Sequence, residues 1–479
     1  MLDCDILIRD VQIVDGSGSE PQRGDVAVAN GRVQAVGDLR THSTKEIVEG
    51  DGKALSPGFI DVHTHDDIYV IRFPEMLPKL SQGVTTVIVG NCGISAAPTQ
   101  LTNGLAAPMN LLGEAPSFQY STFAEYVAGL TAAQPALNVA ALVGHTSLRN
   151  NHMDRLDRAA TTEEIFAMRA QLSEALDNGA LGLSTGLAYQ SANSASTEEV
   201  LALCEPLAQA NAIYTTHMRT EAERILDAMQ EAFLVGNHAK VPVVISHLKC
   251  YGVDNWGRSN EVLNSLDTAS SKQTIGWDCY PYAASSTVLD PRQIDERVAI
   301  VVTWSTPHPE MAGKTLAQIS QTWGVTQIEA ARRLQPAGAI YHSMSEDDVR
   351  AILRHSGTMI GSDGLPNDSF PHPRLWGTFP RVLGRYSREQ KLFSLGEAVR
   401  RMTSLPAQRF GLTNRGWIRA GYSADLVLFD PNTVSDAATF EDPKQPAIGI
   451  DAVWVNGVLS YQGQKCTARA GKFLARSSH

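Results

Sequence analysis

Residues 83–93 read GVTTVIVGNCG: a short β-branched run that stops in a glycine-containing turn and leaves a cysteine, Cys92, at its end. A bounded apolar run of this length is the signature of a strand buried on both faces, as in a parallel sheet. Seven further segments have the same form: GFIDVH (58–63), NVAALVG (138–144), ALGLST (180–185), AIYTTH (212–217), PVVISH (242–247), IGWDCY (275–280) and TMIGSD (358–363). Helical stretches lie between them. In 164–178 the residues Ile165, Met168, Leu172 and Leu176 form one apolar stripe, Thr161 with Glu164 makes a capping box, and Gly179 ends the helix. Eight strand–helix repeats predict an α/β fold, a closed (β/α)8 barrel of the TIM type over residues 57–411. The segment 285–345 is too long for an ordinary crossover and carries its own helical pattern, so it reads as an inserted lid subdomain.

The two ends are different. DILIRDVQIVDGSG and DVAVANGRVQAVGDL near the start, and RGWIRAGYSADLVLFDP and IDAVWVNGVLSYQGQ near the finish, alternate apolar with polar residues and turn at Asn-Gly pairs. Neither end has enough strands to bury a core alone. Residues 1–56 and 412–479 are therefore expected to pair into one small β-sandwich.

Composition narrows the function. The chain is 479 residues long, 43% hydrophobic and 19% charged, with a net charge of -11. No basic cluster is visible, so nucleic acid and anionic membranes are not expected partners, and a small molecule is. An anionic substrate then requires cations inside its own site. With no signal-peptide pattern, no long apolar run and six scattered cysteines, the chain reads as cytoplasmic with reduced thiols. The sequence leaves the oligomeric state open.

In barrels of this kind chemistry sits where the strands end. Strand one ends in DVHTHDD, placing His63 and His65 on the same side of an extended chain; strand two leads to Cys92, strand five ends at His217 and strand six at His247. Each alone is more often a core residue. Together they put five metal-competent side chains around one cavity. Thiolate and imidazole suit zinc, and a set with an open position activates water. A cysteine nucleophile would want one imidazole as its base rather than four histidines. Asp363, in GSDGLPND at the end of strand eight, is placed to shuttle a proton, although a turn aspartate before Gly364 and Pro366 would look the same.

These residues and their surroundings, SPGFIDVHTHDD, GNCGIS, VGHTSLR, STGLAYQ, YTTHMR, ISHLKC, YPY, GSDGLPND, HPRLWGTFPRVLG and GWIRAGYSADLVLFDP, run in order through nearly the whole chain. They resemble the amidohydrolase superfamily and within it the D-aminoacylases, the N-acyl-D-amino-acid deacylases. Many superfamily members carry a carboxylated lysine on strand four. Here that strand reads ALGLSTGLAY without one, and Cys92 takes its place. The resemblance implies a tightly held zinc on Cys92, His217 and His247, a second and weaker position at His63 and His65, and hydrolysis of N-acyl-D-amino acids with Asp363 as proton shuttle. It also implies substrate contacts from Arg374, Tyr282 and Tyr189, with Arg374 and Tyr282 on the α-carboxylate. Lys249, Arg292, Ser285 and Ser286 point to the N-acyl-D-glutamate deacylase branch as the first expectation. The alternatives are a general D-aminoacylase for apolar side chains, an N-acyl-D-aspartate deacylase, cyclic-amide or dipeptide hydrolysis, or a non-catalytic zinc-bearing scaffold barrel.

Overall fold

A computed structural model describes residues 4–102 and 104–477. The N-terminal strands are β1 (Cys4–Ile13), β2 (Gln22–Ala29), β3 (Arg32–Gly37), β4 (Thr44–Glu49) and β5 (Ala54–Pro57). The barrel strands are β6 (Phe59–Asp61), β7 (Val84–Val89), β8 (Asn138–Ala141) with its continuation β9 (Val143–Gly144), β10 (Gly182–Gly186), β11 (Ile213–His217), β12 (Val243–Ile245) and β13 (Ile275–Cys279). An insertion supplies β14 (Ser285–Val288), β15 (Ile300–Ser305) and β16 (Ala337–Tyr341); β17 (Thr358–Ile360) completes the barrel, and β18 (Leu426–Phe429), β19 (Ile450–Val455), β20 (Val458–Gln462) and β21 (Lys465–Cys466) follow.

All eight barrel strands expected from the sequence are present, paired in parallel as β6-β7-β8 and β9-β10-β11-β12-β13-β17. The first and eighth strands meet through a parallel bridge, Thr64 with Gly364, which closes the cylinder. The helix Thr162–Asp177 carries both bonds of the Thr161–Glu164 capping box and buries Met168, Leu172 and Leu176. Its geometry follows from that spacing: residues three and four apart share one face, and the cap satisfies N–H groups that the first turn leaves free.

Strands from the two ends of the chain join in one nine-stranded sheet, where β18 pairs antiparallel with β5, Leu428 opposite Leu55. The sheet turns back on itself, because Arg32 at the start of β3 bridges Ser423 just before β18. Ile8, Val26, Leu55, Leu426 and Trp454 consequently share one apolar cluster. The stretch around Trp417 and Ile418 alternates like a strand but forms a loop, in which Ile418 N–H donates to the carbonyl of Asp15.

Residues 285–341 fold as a three-stranded antiparallel sheet ordered β14-β16-β15, covered by helices Leu316–Trp323 and Gln327–Leu334. Its apolar core of Leu289, Val302, Leu316, Leu334 and Tyr341 is separate from that of the barrel. The helices accord with the pattern in the sequence; the sheet is additional. Among the described residues no helix is long and apolar enough to cross a membrane.

Candidate metal centre

Three turns aim the side chains at the barrel mouth. Cys92, His247 and Asp363 each follow a strand end and each adopts a left-handed backbone, with φ of 53°, 38° and 50°. Such a conformation is costly for residues other than glycine and persists where surrounding structure enforces it, often at functional sites. The backbone of Cys92 is closely packed against the fourth strand. A Cβ on Gly186, the last residue of β10, would lie 2.1 Å from the Cys92 carbonyl oxygen. The end of the fourth strand therefore has no room for a side chain there, in keeping with the absence of a lysine.

The result is a cluster of donors. Ligand atoms of His63, His65, Cys92 and Asp363 all lie within 4.8 Å of one another, and so do those of Cys92, His217 and His247. Cys92 Sγ is 3.2 Å from His63 Nε2 and 3.3 Å from His247 Nε2, while His247 Nε2 is 3.0 Å from His217 Nδ1. Tetrahedral zinc with Zn–S near 2.3 Å and Zn–N near 2.05 Å sets its ligand atoms about 3.4–3.6 Å apart. The donor set thus fits that ion in element type and spacing. Electrostatics agree: burial opposes ionisation of the Cys92 thiol, but the charges of His63 and His247 outweigh it and hold the thiol well below its ordinary pKa.

Two carboxylates not anticipated from the sequence orient the rings. Asp278, on β13, has Oδ2 3.4 Å from His63 Nδ1 and accepts from the backbone N–H of His247 through Oδ1 at 3.0 Å. Glu221 has Oε1 2.9 Å from His247 Nδ1 and 2.7 Å from Lys249 Nζ. Burial raises the Glu221 pKa, yet Lys249, His247 and His217 together pull it down to about 2. A carboxylate on the far ring nitrogen fixes the tautomer and turns the other lone pair inward. Removing it has a predictable cost. Glu221→Ala is expected to weaken zinc binding by about 10–100-fold, measured by competition with a chromogenic chelator.

Asp363 bridges the two halves of the site. Its Oδ1 lies 3.2 Å from His65 Nε2 and 3.5 Å from His63 Nε2, and its Oδ2 is 2.9 Å from Arg374 Nη1. Burial opposes its ionisation; the positive charges of Arg374 and His63 overcome that and hold its pKa well below the carboxylate range.

A cavity of about 380 Å³ opens over this centre, lined by His65, His217, His247 and Asp363 together with Tyr189, Lys249, Tyr280, Ser285 and Ser286. Tyr189 joins barrel to insertion by a 3.1 Å hydrogen bond to Thr287. Of the remaining residues expected to contact substrate, Arg374 is fully buried behind the wall, its Nη2 donating to the Ser286 carbonyl and its guanidinium 4.6 Å from the Tyr280 ring centre. Tyr282 is not brought to the cavity. Its ring packs against Arg381, His372 and Phe440, because Pro281 turns the chain away after Tyr280. Tyr280 occupies the wall instead. Arg292 sits outside the lining, half-exposed and ion-paired to Asp290 at 2.6 Å.

The sequence profile of the Amidohydrolase family matches residues 46–461. The chain belongs to the amidohydrolase family. Within this family it is 48% identical to the D-aminoacylase of Alcaligenes xylosoxydans xylosoxydans over 99% of its length and 98% of that protein's. It is 47% identical to the N-acyl-D-aspartate deacylase of the same organism, covering 98% of this chain and 95% of the other. The crystal structure of the Bordetella bronchiseptica N-acyl-D-glutamate deacylase, complexed with zinc and a phosphonate mimic of the tetrahedral intermediate, superposes with a TM-score of 0.96 at 45% identity, covering 99% of this chain and all of that one. A D-aminoacylase, an N-acyl-D-aspartate deacylase and an N-acyl-D-glutamate deacylase are thus about equally similar to it.

Proposed function

We propose that this chain is a zinc-dependent deacylase that hydrolyses the amide bond of N-acyl-D-amino acids, releasing a carboxylate and the free D-amino acid. The observation that carries the reading is the gathering of one sulfur, four imidazoles and one carboxylate, from strand ends far apart in sequence, at the mouth of one cavity. Cys92, His217 and His247 would hold the tightly bound ion, with His63, His65 and Asp363 beside Cys92 as a second, weaker position. Bound there, zinc supplies Lewis acidity, polarising a carbonyl oxygen and lowering the pKa of water.

The chain's own residues do the rest. Lys249 and Tyr280 line the cavity, and their ammonium and phenol, held in this structure by Glu221 and by Met344 Sδ, would turn to the substrate's α-carboxylate. Arg374, buried behind Tyr280 and Ser286, adds positive potential from the second layer and orders Asp363. Asp363 takes a proton from the attacking water and returns it to the leaving nitrogen. Tyr189 and β14 shield the reacting bond from bulk solvent.

Side-chain preference follows from the charges around the cavity. Lys249 is paired with Glu221, Arg219 with Glu231 at 2.7 Å, and Arg292 with Asp290. With Lys249 assigned to the α-carboxylate, a second carboxylate would face Asp290 and Glu221 without a free cation, whereas Leu289, Val288, Pro291 and Leu365 offer an apolar wall. Uncharged D-side chains are therefore the first reading. N-acyl-D-glutamate is the second, favoured by the position of Arg292 at the rim, and it requires that arginine to leave Asp290.

The test compares kcat/KM across N-acetyl-D-methionine, N-acetyl-D-glutamate, N-acetyl-D-aspartate and N-acetyl-L-methionine, with and without a chelator. We expect the D-methionine derivative to exceed the D-glutamate one by about tenfold or more, in the range that a single unpaired charge imposes, and the chelated protein to be inactive until zinc is restored. A D-glutamate derivative turned over as fast would reverse the preference. Absence of turnover on all four with zinc bound would end the deacylase reading.

A further inference from the structure

Beneath the site lies a second cluster of charges that no step above uses. Lys79, on the helix Leu77–Leu80, has no solvent exposure. Its Nζ is 2.8 Å from Asp61 Oδ2, 2.7 Å from Ser362 Oγ and 3.4 Å from Asp66 Oδ2, and all three partners are buried. Ser362 Oγ donates to Asp61 Oδ2 at 2.6 Å and accepts from the backbone N–H of Gly364 at 3.1 Å; Asp61 Oδ1 accepts from the backbone N–H groups of Ser362 at 2.8 Å and His63 at 3.3 Å. Buried charges of this kind persist only when paired and hydrogen-bonded.

The location gives the cluster a purpose. Among the described residues β6 and β17 share no ladder: they belong to separate hydrogen-bonded sheets and touch through one bridge, Thr64 with Gly364. This seam is where the barrel is least held by its own backbone. It is also the seam from which His63, His65 and Asp363 emerge, the last with its backbone in the left-handed region. The cluster grips Ser362 and Gly364, the residues on either side of Asp363, and the backbone N–H of His63.

We propose that Lys79, acting through Ser362 and Asp61, is a positioning residue that clamps this seam and holds the Asp363 carboxylate at its working distance from the histidines. The inference rests on the proton-transfer role proposed for Asp363. It predicts that the clamp matters only while Asp363 is functional.

The experiment is a double-mutant cycle on the zinc-loaded protein, with kcat, KM, zinc content and melting temperature measured for each variant. Ser362→Ala, which keeps every charge, is expected to lower kcat about tenfold, and Lys79→Met about a hundredfold, within the range that misplacement of a catalytic group by an ångström produces. KM should stay within about twofold and the tightly held zinc should be retained, since Cys92, His217 and His247 lie off this seam. In the Asp363→Asn background, Ser362→Ala should cost nothing further in kcat, because residues acting through one another are not additive. Equal losses in both backgrounds, or a Ser362→Ala enzyme with kcat unaltered, would overturn the clamp even if Lys79→Met fails to fold. A failure of the underlying function reading looks different: it appears in Asp363→Asn alone, as undiminished turnover.

Discussion

Asp363→Asn is expected to lower kcat by about a thousandfold with zinc content unchanged and KM altered little, in the range attributed to general acid–base catalysis. Asparagine matches aspartate in shape. Its side-chain oxygen can face Arg374, whose Nη1 lies 2.9 Å from Asp363 Oδ2, although the ion pair with that buried guanidinium is lost. It cannot accept a proton. In the native protein the carboxylate is kept ionised despite burial, because Arg374 and His63 stabilise its negative charge. The base form is thus the resting form across the neutral range. The tight set proposed above, Cys92 with His217 and His247, does not include Asp363, so the ion should survive the substitution. The decisive pair of measurements is turnover and metal content on the same sample. Near-normal turnover with zinc retained would rule out the proton-transfer role, and loss of zinc would reassign Asp363 to the tight ligand set.

Much of this site is legible in the amino-acid sequence, for a physical reason. A parallel barrel is built from short, wholly buried strands, each announced by a bounded apolar run, and the residue ending each run is placed at the mouth by geometry alone. For His217 and His247 that rule suffices. The partners of buried charges are not legible in the same way. Glu221, in MRTEAERIL, has the look of an exposed acid beside a helix start, and Lys79, in LPKLSQG, that of a surface lysine; burial leaves no mark on a single charged letter. For the same reason the sequence does not name the carboxylates that neighbour Lys249 and Arg292, Glu221 lying 28 positions before Lys249 and Asp290 two before Arg292. Tyr280 takes the place expected of Tyr282 because alternation ceases where β13 ends at Cys279, and beyond it Pro281 sets the direction. The sheet of the insertion is hidden because its strands pair across long separations, as Ser285 with Tyr341, which local pattern does not report.

The second large effect concerns Cys92. Three roles are open to a buried cysteine, and substitution by serine separates them. A core filler replaced by serine would leave zinc and activity in place at a modest cost in stability. A nucleophile replaced by serine would leave zinc in place and abolish turnover. A ligand replaced by serine should lose the metal and the activity together, and this is the expected outcome. Among the described residues Cys92 alone is shared by both donor groups, its sulfur lies 3.2–3.3 Å from two imidazole nitrogens, and the charges of His63 and His247 hold its thiol well below its ordinary pKa against the effect of burial. The loss of zinc affinity should exceed the roughly 10–100-fold that removal of a supporting carboxylate causes, and kcat should fall with occupancy. Cys204 and Cys279 supply the control: both are buried, and burial pushes both thiols upward, leaving them neutral and inert. Cys204→Ser and Cys279→Ser should therefore keep the ion. Should Cys92→Ser retain zinc as tightly as they do, the sulfur is not a ligand, and the tight position would have to be rebuilt around the histidines and Asp363.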